Sequence, residues 1–214
     1  MTSIAKRPLL IGITGNIGSG KSTFCRYLES LNLRVIEADK LANNCLQDNE
    51  VVSKLVERYS AHILLNSESN EATQIDRAKL AERVFSDPIE TAYLNALIHP
   101  RVLKAFSEIV KTTCEEYLGF EVPLLFEAEL QECFDYLVLV YTPREYRIER
   151  LDQRGMTLPS ILDREQRQIP DEEKLNKVDL VVANTGSALA LKEKAGELVR
   201  SLRDIPYRQL KSFV

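Results

Sequence analysis

Five short, almost continuous apolar runs punctuate the chain: Leu9–Thr14, Arg34–Ala38, Glu121–Leu125, Tyr136–Tyr141 and Asp179–Ala183. None alternates strictly between apolar and polar positions. Strands buried on both faces read this way, which is the habit of a parallel sheet covered by helices above and below. Helical periods separate the runs. Phe24, Leu28 and Leu31 form one apolar face, and Leu191, Ala195, Leu198, Val199 and Leu202 form another after Ser187. Strands alternating with amphipathic helices predict an α/β fold, a doubly wound parallel sheet of five strands flanked by helices.

One interval breaks the rhythm. From Lys40 to about Gly119 there is no strand signal, a gap far longer than a simple crossover. Helical patterns fill it over Val51–Tyr59, over Arg77–Phe85 and from Pro88 to Leu118, with an expected interruption at Pro100. The polar stretch Ser67–Thr73 reads as an exposed connection. A helical insertion after the second strand is expected over the carboxyl edge of the sheet, where such folds bind ligands, and is read as a domain for a second substrate.

The chemistry begins directly behind the first run. Gly15, Asn16, Ile17, Gly18, Ser19, Gly20, Lys21, Ser22 and Thr23 spell G-x-x-x-x-G-K-[ST] between an apolar strand and a helix. Glycines at these positions let successive N–H groups curl around phosphate oxygens, and the helix starting near Lys21 adds its positive end. Lys21 supplies a mobile charge for the β- and γ-phosphates, and Ser22 a hydroxyl for Mg²⁺. The segment is read as a nucleoside triphosphate site.

Bulk properties narrow the setting. The 214 residues suit one domain with insertions, and 44% apolar with 28% charged residues is an ordinary globular balance. A net charge of −4 speaks against a dedicated nucleic-acid binder. Cys25, Cys45, Cys114 and Cys133 are widely spaced without a C-x-x-C pair, so reduced thiols are expected and a zinc site is not. The apolar start runs into the glycine-rich loop instead of a cleavage site, and no stretch is long enough to span a bilayer. A soluble cytoplasmic protein is expected.

Asp39 closes the predicted second strand in RVIEAD, where strand ends cluster around a phosphate site. A carboxylate there can orient an acceptor hydroxyl, take its proton, or hold Mg²⁺ through water. Glu37, two residues earlier on the same strand face, competes for that role. A helix cap at Lys40 or Leu41 is the alternative use of Asp39, and the two are compatible. Arg144, Arg147, Arg150, Arg154, Arg164 and Arg167 crowd the region after the fourth strand. Arg147, Arg150 and Arg154 share one helical face, as a lid that neutralises a transferring phosphoryl group would need. The plainer alternative is a solvated helix with Glu145 and Glu149 as ion-pair partners. His62 has no evident role, and His99 gains none from its neighbours alone. Asn176–Asp179 and Asp152–Gly155 imitate GTPase motifs, but neither follows an apolar strand, which removes the main support for a GTP switch.

Taken together these segments resemble the dephospho-CoA kinase family. The resemblance rests on ITGNIGSGKST at 13–23, VIEAD at 35–39, the R-x-x-L-x-x-x-V-F pattern at 77–85 and LNALIHPRV at 94–102. It continues through VPLLFE at 122–127, R-L-x-x-R at 150–154, R-x-x-x-Q at 164–168 and DLVVANTG at 179–186. It implies a P-loop kinase-type sheet with an acceptor-binding insertion and an arginine-bearing lid, catalysing ATP-dependent phosphorylation of the ribose 3′-hydroxyl of dephospho-CoA in coenzyme A biosynthesis. The implied core is 1–39, 119–143 and 175–214, the insertion 40–118 and the lid 144–174.

The implied catalytic residues are Asp39, Lys21, Arg150 and Arg154, with ATP on Gly15–Thr23 and near Asn184. Mg²⁺ would lie on Ser22, and Asp39, Arg77, His99, Pro123 and Glu127 would be in or near the acceptor pocket. Two departures stand out: Glu37 replaces an aspartate usual in the family, and Arg147 replaces a common glutamine. The small-molecule partner is dephospho-CoA, with no nucleic acid or membrane. The oligomeric state stays open, the monomer slightly favoured. Another nucleoside-monophosphate or small-molecule kinase, and a non-enzymatic nucleotide switch, are the competing readings.

Overall fold

A computed structural model describes residues 7–65, 74–84 and 87–213. The predicted connection Ser67–Thr73 and the last residue of the predicted helix Arg77–Phe85 lie outside them. The described chain divides into two compact units, Arg7–Ala38 with Val110–Phe213, and Asp39–Ile109.

The first unit holds a parallel sheet of β1 (Leu9–Thr14), β2 (Val35–Glu37), β3 (Tyr117–Glu121), β4 (Tyr136–Tyr141) and β5 (Leu180–Ala183). The strand order is β2-β3-β1-β4-β5, with every neighbouring pair parallel. β1 is central, so the loop leaving it is flanked by the carboxyl ends of β3 and β4. The pleat sends Leu9, Ile11 and Ile13 into a core with Phe24 and Leu28 of α1 (Lys21–Ser30) and with Leu191, Ala195 and Leu198 of α9 (Ala188–Ser201). On the opposite face Phe120 and Phe134 pack together with Phe213 near the C-terminus. Burial on both faces explains the near-continuous apolar strands.

β1 and β4 coincide with their sequence-based bounds, and three strands shift. β2 stops at Glu37, because β3, its only strand partner among the described residues, ends opposite it at Glu121. α2 (Ala38–Cys45) begins at the next residue, so Asp39 is helical instead of closing a strand. β3 occupies Tyr117–Glu121, ahead of the expected 121–125. Pro123 lacks the N–H a ladder needs, and the chain turns there, with Ala128 N–H bonded to Leu124 O and Leu130 N–H to Leu125 O. Tyr117 and Leu118, expected inside the insertion, are therefore sheet residues. β5 starts one residue late, at Leu180.

The second unit is helical. Asp48 caps α3 (Asn49–Tyr59), its Oδ1 accepting from Glu50 N–H at 2.9 Å, and Val51, Val52 and Leu55 are buried. An antiparallel bridge joins Leu64 to Ile75 ahead of α4 (Arg77–Val84). α5 spans Pro88–Thr112 without a break, with Pro100 in its interior and Leu97, Ile98, Val102 and Phe106 buried. The expected interruption at Pro100 does not occur: apolar burial on both sides of it outweighs the lost hydrogen bond. Arg58 forks onto Glu90 and lies 4.1 Å from the Tyr93 ring centre.

The chain returns to the first unit before β3. After β4 come α6 (Arg144–Asp152), α7 (Leu158–Gln166) and the single turn α8 (Asp171–Lys174). No helix among the described residues is long and apolar enough to cross a membrane.

Candidate active site

The glycine-rich loop bends where its glycines allow it. Gly18 and Gly20 adopt φ of 80° and 90°, the left-handed region that side chains resist. Space forbids side chains as well. A Cβ on Gly20 would lie 2.1 Å from Asn184 Nδ2, and one on Gly18 would lie 3.0 Å from the Arg147 carbonyl. Gly20 offers α1 no side-chain cap, and the first turn of α1 carries no acidic residue. The positive helix end is thus left for an anion.

Lys21 and Ser22 converge on one acceptor. Lys21 Nζ lies 2.9 Å from Glu121 Oε1, and Ser22 Oγ donates to the same oxygen at 2.8 Å. Burial alone would raise the Glu121 pKa, yet the Lys21 ammonium and the Ser22 hydroxyl hold it below the ordinary value. The Cys25 thiol also faces Glu121, and burial pushes its pKa up, so it stays protonated. Glu121 was not among the sequence-based candidates. Its one sequence signal was an acidic residue at the start of a predicted apolar strand. Its importance depends on β3 lying beside β1, with Glu121 opposite Ile13.

The back half of the loop rests on strand ends. Thr142 Oγ1 donates to Ser19 O at 2.9 Å, and Asn184 Nδ2 donates to the same carbonyl at 2.8 Å. Arg150 reaches Thr142 Oγ1 at 3.3 Å and Asn184 O at 2.9 Å. Asn184, expected near a nucleotide base, therefore has its amide turned onto the loop.

The front half is held from elsewhere. Asn16 is buried, its Oδ1 accepting from Lys174 Nζ at 2.8 Å and its Nδ2 reaching Ile169 O at 3.3 Å. Ile17 N–H donates to Gln168 Oε1 at 2.9 Å, and Ile17 O accepts from Arg147 Nη1 at 3.0 Å. Glu127 Oε1 takes the Ile169 N–H at 2.7 Å and lies 3.0 Å from Lys174 Nζ. Pro123 contributes its carbonyl to Thr14 Oγ1 at 3.4 Å.

The three arginines expected on one face separate. Arg147 is 5% exposed and braces the loop, paired with Glu165 at 3.2 Å and with Asp171. Arg150 is half-buried beside Asn184. Arg154 lies beyond α6, in the turn that Gly155 closes at φ 78°, and is exposed. α6 ends at Asp152, two residues short of Arg154, so the spacing from 147 to 154 is not carried on one helical face. The ion-pair partners come from α7 and α8 instead of from Glu145 and Glu149: Arg144 and Arg147 both meet Glu165, and Arg147 also meets Asp171. Asp179, part of the GTPase-like match, accepts Leu137 N–H at 2.8 Å and so positions β4 against β5.

In the second unit, Asp39 is exposed at the second residue of α2, inside the first turn instead of at the cap position. Arg77 opens α4 and His99 lies midway along α5, both exposed.

Comparisons with known proteins bear on the family and the fold. The family model described as dephospho-CoA kinase matches residues 9–190. A dephospho-CoA kinase of Deinococcus radiodurans is 37% identical over 202 residues, covering 92% of this chain and 93% of its own. A solved structure from Thermus thermophilus superposes with a TM-score of 0.79 at 34% identity, covering 92% of this chain and 99% of its own. The dephospho-CoA kinase of Campylobacter jejuni superposes at 0.62 with 29% identity, covering 90% and 96%. Sequence likeness over nearly the whole length and a shared architecture lead to one conclusion: this chain belongs to the dephospho-CoA kinase family.

Proposed function

We propose that the chain transfers the γ-phosphoryl group of ATP to the ribose 3′-hydroxyl of dephospho-CoA, giving coenzyme A and ADP. The carrying observation is the convergence of Lys21 and Ser22 on Glu121 beside an uncapped helix end. The arrangement suits a triphosphate: loop N–H groups for the β-phosphate, a mobile ammonium, and oxygen donors for a hard cation.

The donor set fits Mg²⁺. Ser22 Oγ and the Glu121 carboxylate are hard oxygen ligands already 2.8 Å apart. Among the described residues no cluster of three or more acidic, histidine or cysteine side chains could hold a metal alone. That matches an ion held by few protein groups together with substrate phosphates. When bound, Mg²⁺ would neutralise charge on the phosphate oxygens.

Lys21 would exchange part of its contact with Glu121 for the phosphates. Arg150, beside Gly20, and exposed Arg154 would meet the transferring group as segment 144–174 serves as a lid that excludes water. Residues 40–118 would hold the acceptor, with Arg77 and His99 contributing and Pro123 and Glu127 near the pocket. Asp39 would orient the 3′-hydroxyl and accept its proton.

The test is ADP release by the purified chain with ATP and Mg²⁺, with and without dephospho-CoA. Release is expected to depend on dephospho-CoA and to yield the 3′-phosphorylated product. Release at the same rate without acceptor, or a stronger response to another nucleoside or sugar, overturns the reading.

A further inference from the structure

Lys174 has no exposed surface, although it carries a charge. A buried ammonium is unfavourable unless paired, and an apolar side chain of similar volume would fill the same space without that penalty. Its partners show where the charge acts. Nζ is 2.8 Å from Asn16 Oδ1 in the phosphate loop and 3.0 Å from Glu127 Oε1 in the turn after β3. Glu127 Oε1 also takes the Ile169 N–H.

The loop is consequently held by two sets of groups, which Arg147 links by donating to Thr142 O at 3.1 Å and Arg150 by donating to Asn184 O at 2.9 Å. Asn16 and Ile17 are tied to Arg147, Gln168, Ile169 and Lys174, all within segment 144–174. Ser19 is tied to Thr142 and Asn184, at the ends of β4 and β5. Gly18 lies between the two anchors, and the N–H groups that would meet phosphate follow directly. A shift of segment 144–174 is transmitted first to Asn16 and Ile17, and through the Ser19 N–H bond to Asn16 O at 3.0 Å it pulls against Ser19 O, which Thr142 and Asn184 hold at the strand ends, so the intervening amides turn.

We propose that Lys174, assisted by Gln168, is a positioning residue that makes the phosphate loop's fit to ATP depend on the placement of segment 144–174. The proposal rests on the reading of the loop as an ATP site. It assigns Asn16 a side-chain role as receiver of the linkage, distinct from the backbone contact expected of a phosphate loop.

Full-length Lys174→Met, Lys174→Arg and Gln168→Ala test it. Lys174→Met keeps the aliphatic stem and removes the charge. Lys174→Arg returns a cation. Gln168→Ala releases the Ile17 N–H without altering any buried charge. KM is measured separately for ATP and dephospho-CoA, alongside the Kd of a fluorescent ATP analogue and the melting temperature.

Lys174→Met is expected to raise KM for ATP and the analogue Kd at least fivefold, with KM for dephospho-CoA within twofold. Gln168→Ala should move the same constants at least twofold, and Lys174→Arg should lie closer to wild type than Lys174→Met. A merely structural role lowers the melting temperature and leaves both KM values unchanged. That result, or an equal rise in both KM values, overturns the proposal. If Lys174→Met does not fold, Gln168→Ala decides by the same criterion. Wild-type protein that binds the analogue but shows no dependence on dephospho-CoA would overturn the proposed function alone, since the analogue Kd still reports on the linkage.

Discussion

Glu121 Oε1 receives Lys21 at 2.9 Å and Ser22 at 2.8 Å, so a single carboxylate oxygen at the end of β3 gathers the two polar side chains that close the phosphate loop. The side chains of Lys21 and Glu121 are only 12% and 8% exposed, which strengthens the pair relative to one in open water. Glu121 thereby sets where Lys21 waits and which way the Ser22 hydroxyl points.

Replacing Glu121 with Gln is expected to lower kcat/KM by roughly 10- to 100-fold and to raise the Mg²⁺ concentration needed for half-maximal rate, as loss of a group that orients metal ligands does. A Mg²⁺ titration of initial rates checks this. An unchanged Mg²⁺ requirement would remove Glu121 from the metal's surroundings. Because its pKa is depressed, the stabilising charge is present above the ordinary glutamate range and is lost only as pH falls through the lower folded value.

Asp39→Asn should reduce turnover by at least about 100-fold, the scale of general base catalysis, with little change in ATP affinity. Single-turnover rates and binding of a non-hydrolysable ATP analogue separate the two effects. Turnover within about threefold of wild type, a barrier change below ~1 kcal/mol, would remove the base or orienting role.

Lys21→Ala is expected to weaken both ATP binding and turnover, because it removes the mobile cation and leaves Glu121 with one fewer donor. Initial rates against ATP concentration measure both. Full activity would be incompatible with the loop assignment.

Asp171 gives a pH signature. It is 3% exposed, and burial pushes its pKa up to about 6 despite the nearby Arg147 and Lys174. A carboxyl raised in the folded state binds its proton more tightly than in the unfolded chain. Folding is therefore favoured as pH falls from about 6 towards 4, and the ionised form weakens the fold above that window. Urea unfolding across pH 4–8 should show wild type losing stability relative to Asp171→Asn as pH rises through about 6. Parallel profiles would mean that Asp171 does not titrate there.

The C-terminal stretch ties down the starts of β1 and β4 and packs on one face of the sheet. Asp135, with no exposed surface, accepts from Arg7, from Leu10 N–H at 2.9 Å and from Arg208 N–H at 2.7 Å, while Phe213 packs on Phe120 and Phe134. Phe213→Ala is expected to cost about 3 kcal/mol in chemical unfolding, the usual price of removing a buried ring. KM for ATP should not change. A loss below about 1 kcal/mol would show that the ring adds little to this core.

Properties carried by consecutive residues were legible before any coordinates. β1 and β4 emerged from apolar runs with their limits intact, and α1 and α9 from faces repeating every three or four residues. The phosphate loop followed from glycines whose positive φ no other residue adopts easily. Bounds drifted where a neighbour set them: β2 ends where β3 ends, and β3 stops ahead of Pro123.

The polar connections had no such local signature. Glu121 and Lys21 are 100 positions apart, and Lys174 and Asn16 are 158 apart. Their meeting depends on strand order and on how the chain returns after β4, which no short pattern encodes. Arg147, Arg150 and Arg154 look equivalent in the chain, yet packing makes one a buried brace, one a strand-end contact and one a solvent-exposed cation. Short-range sterics and hydrophobic period thus wrote the strands, the helices and the loop into the chain. Which charges share a site was left to long-range packing, because Coulomb attraction and desolvation act on distances in space.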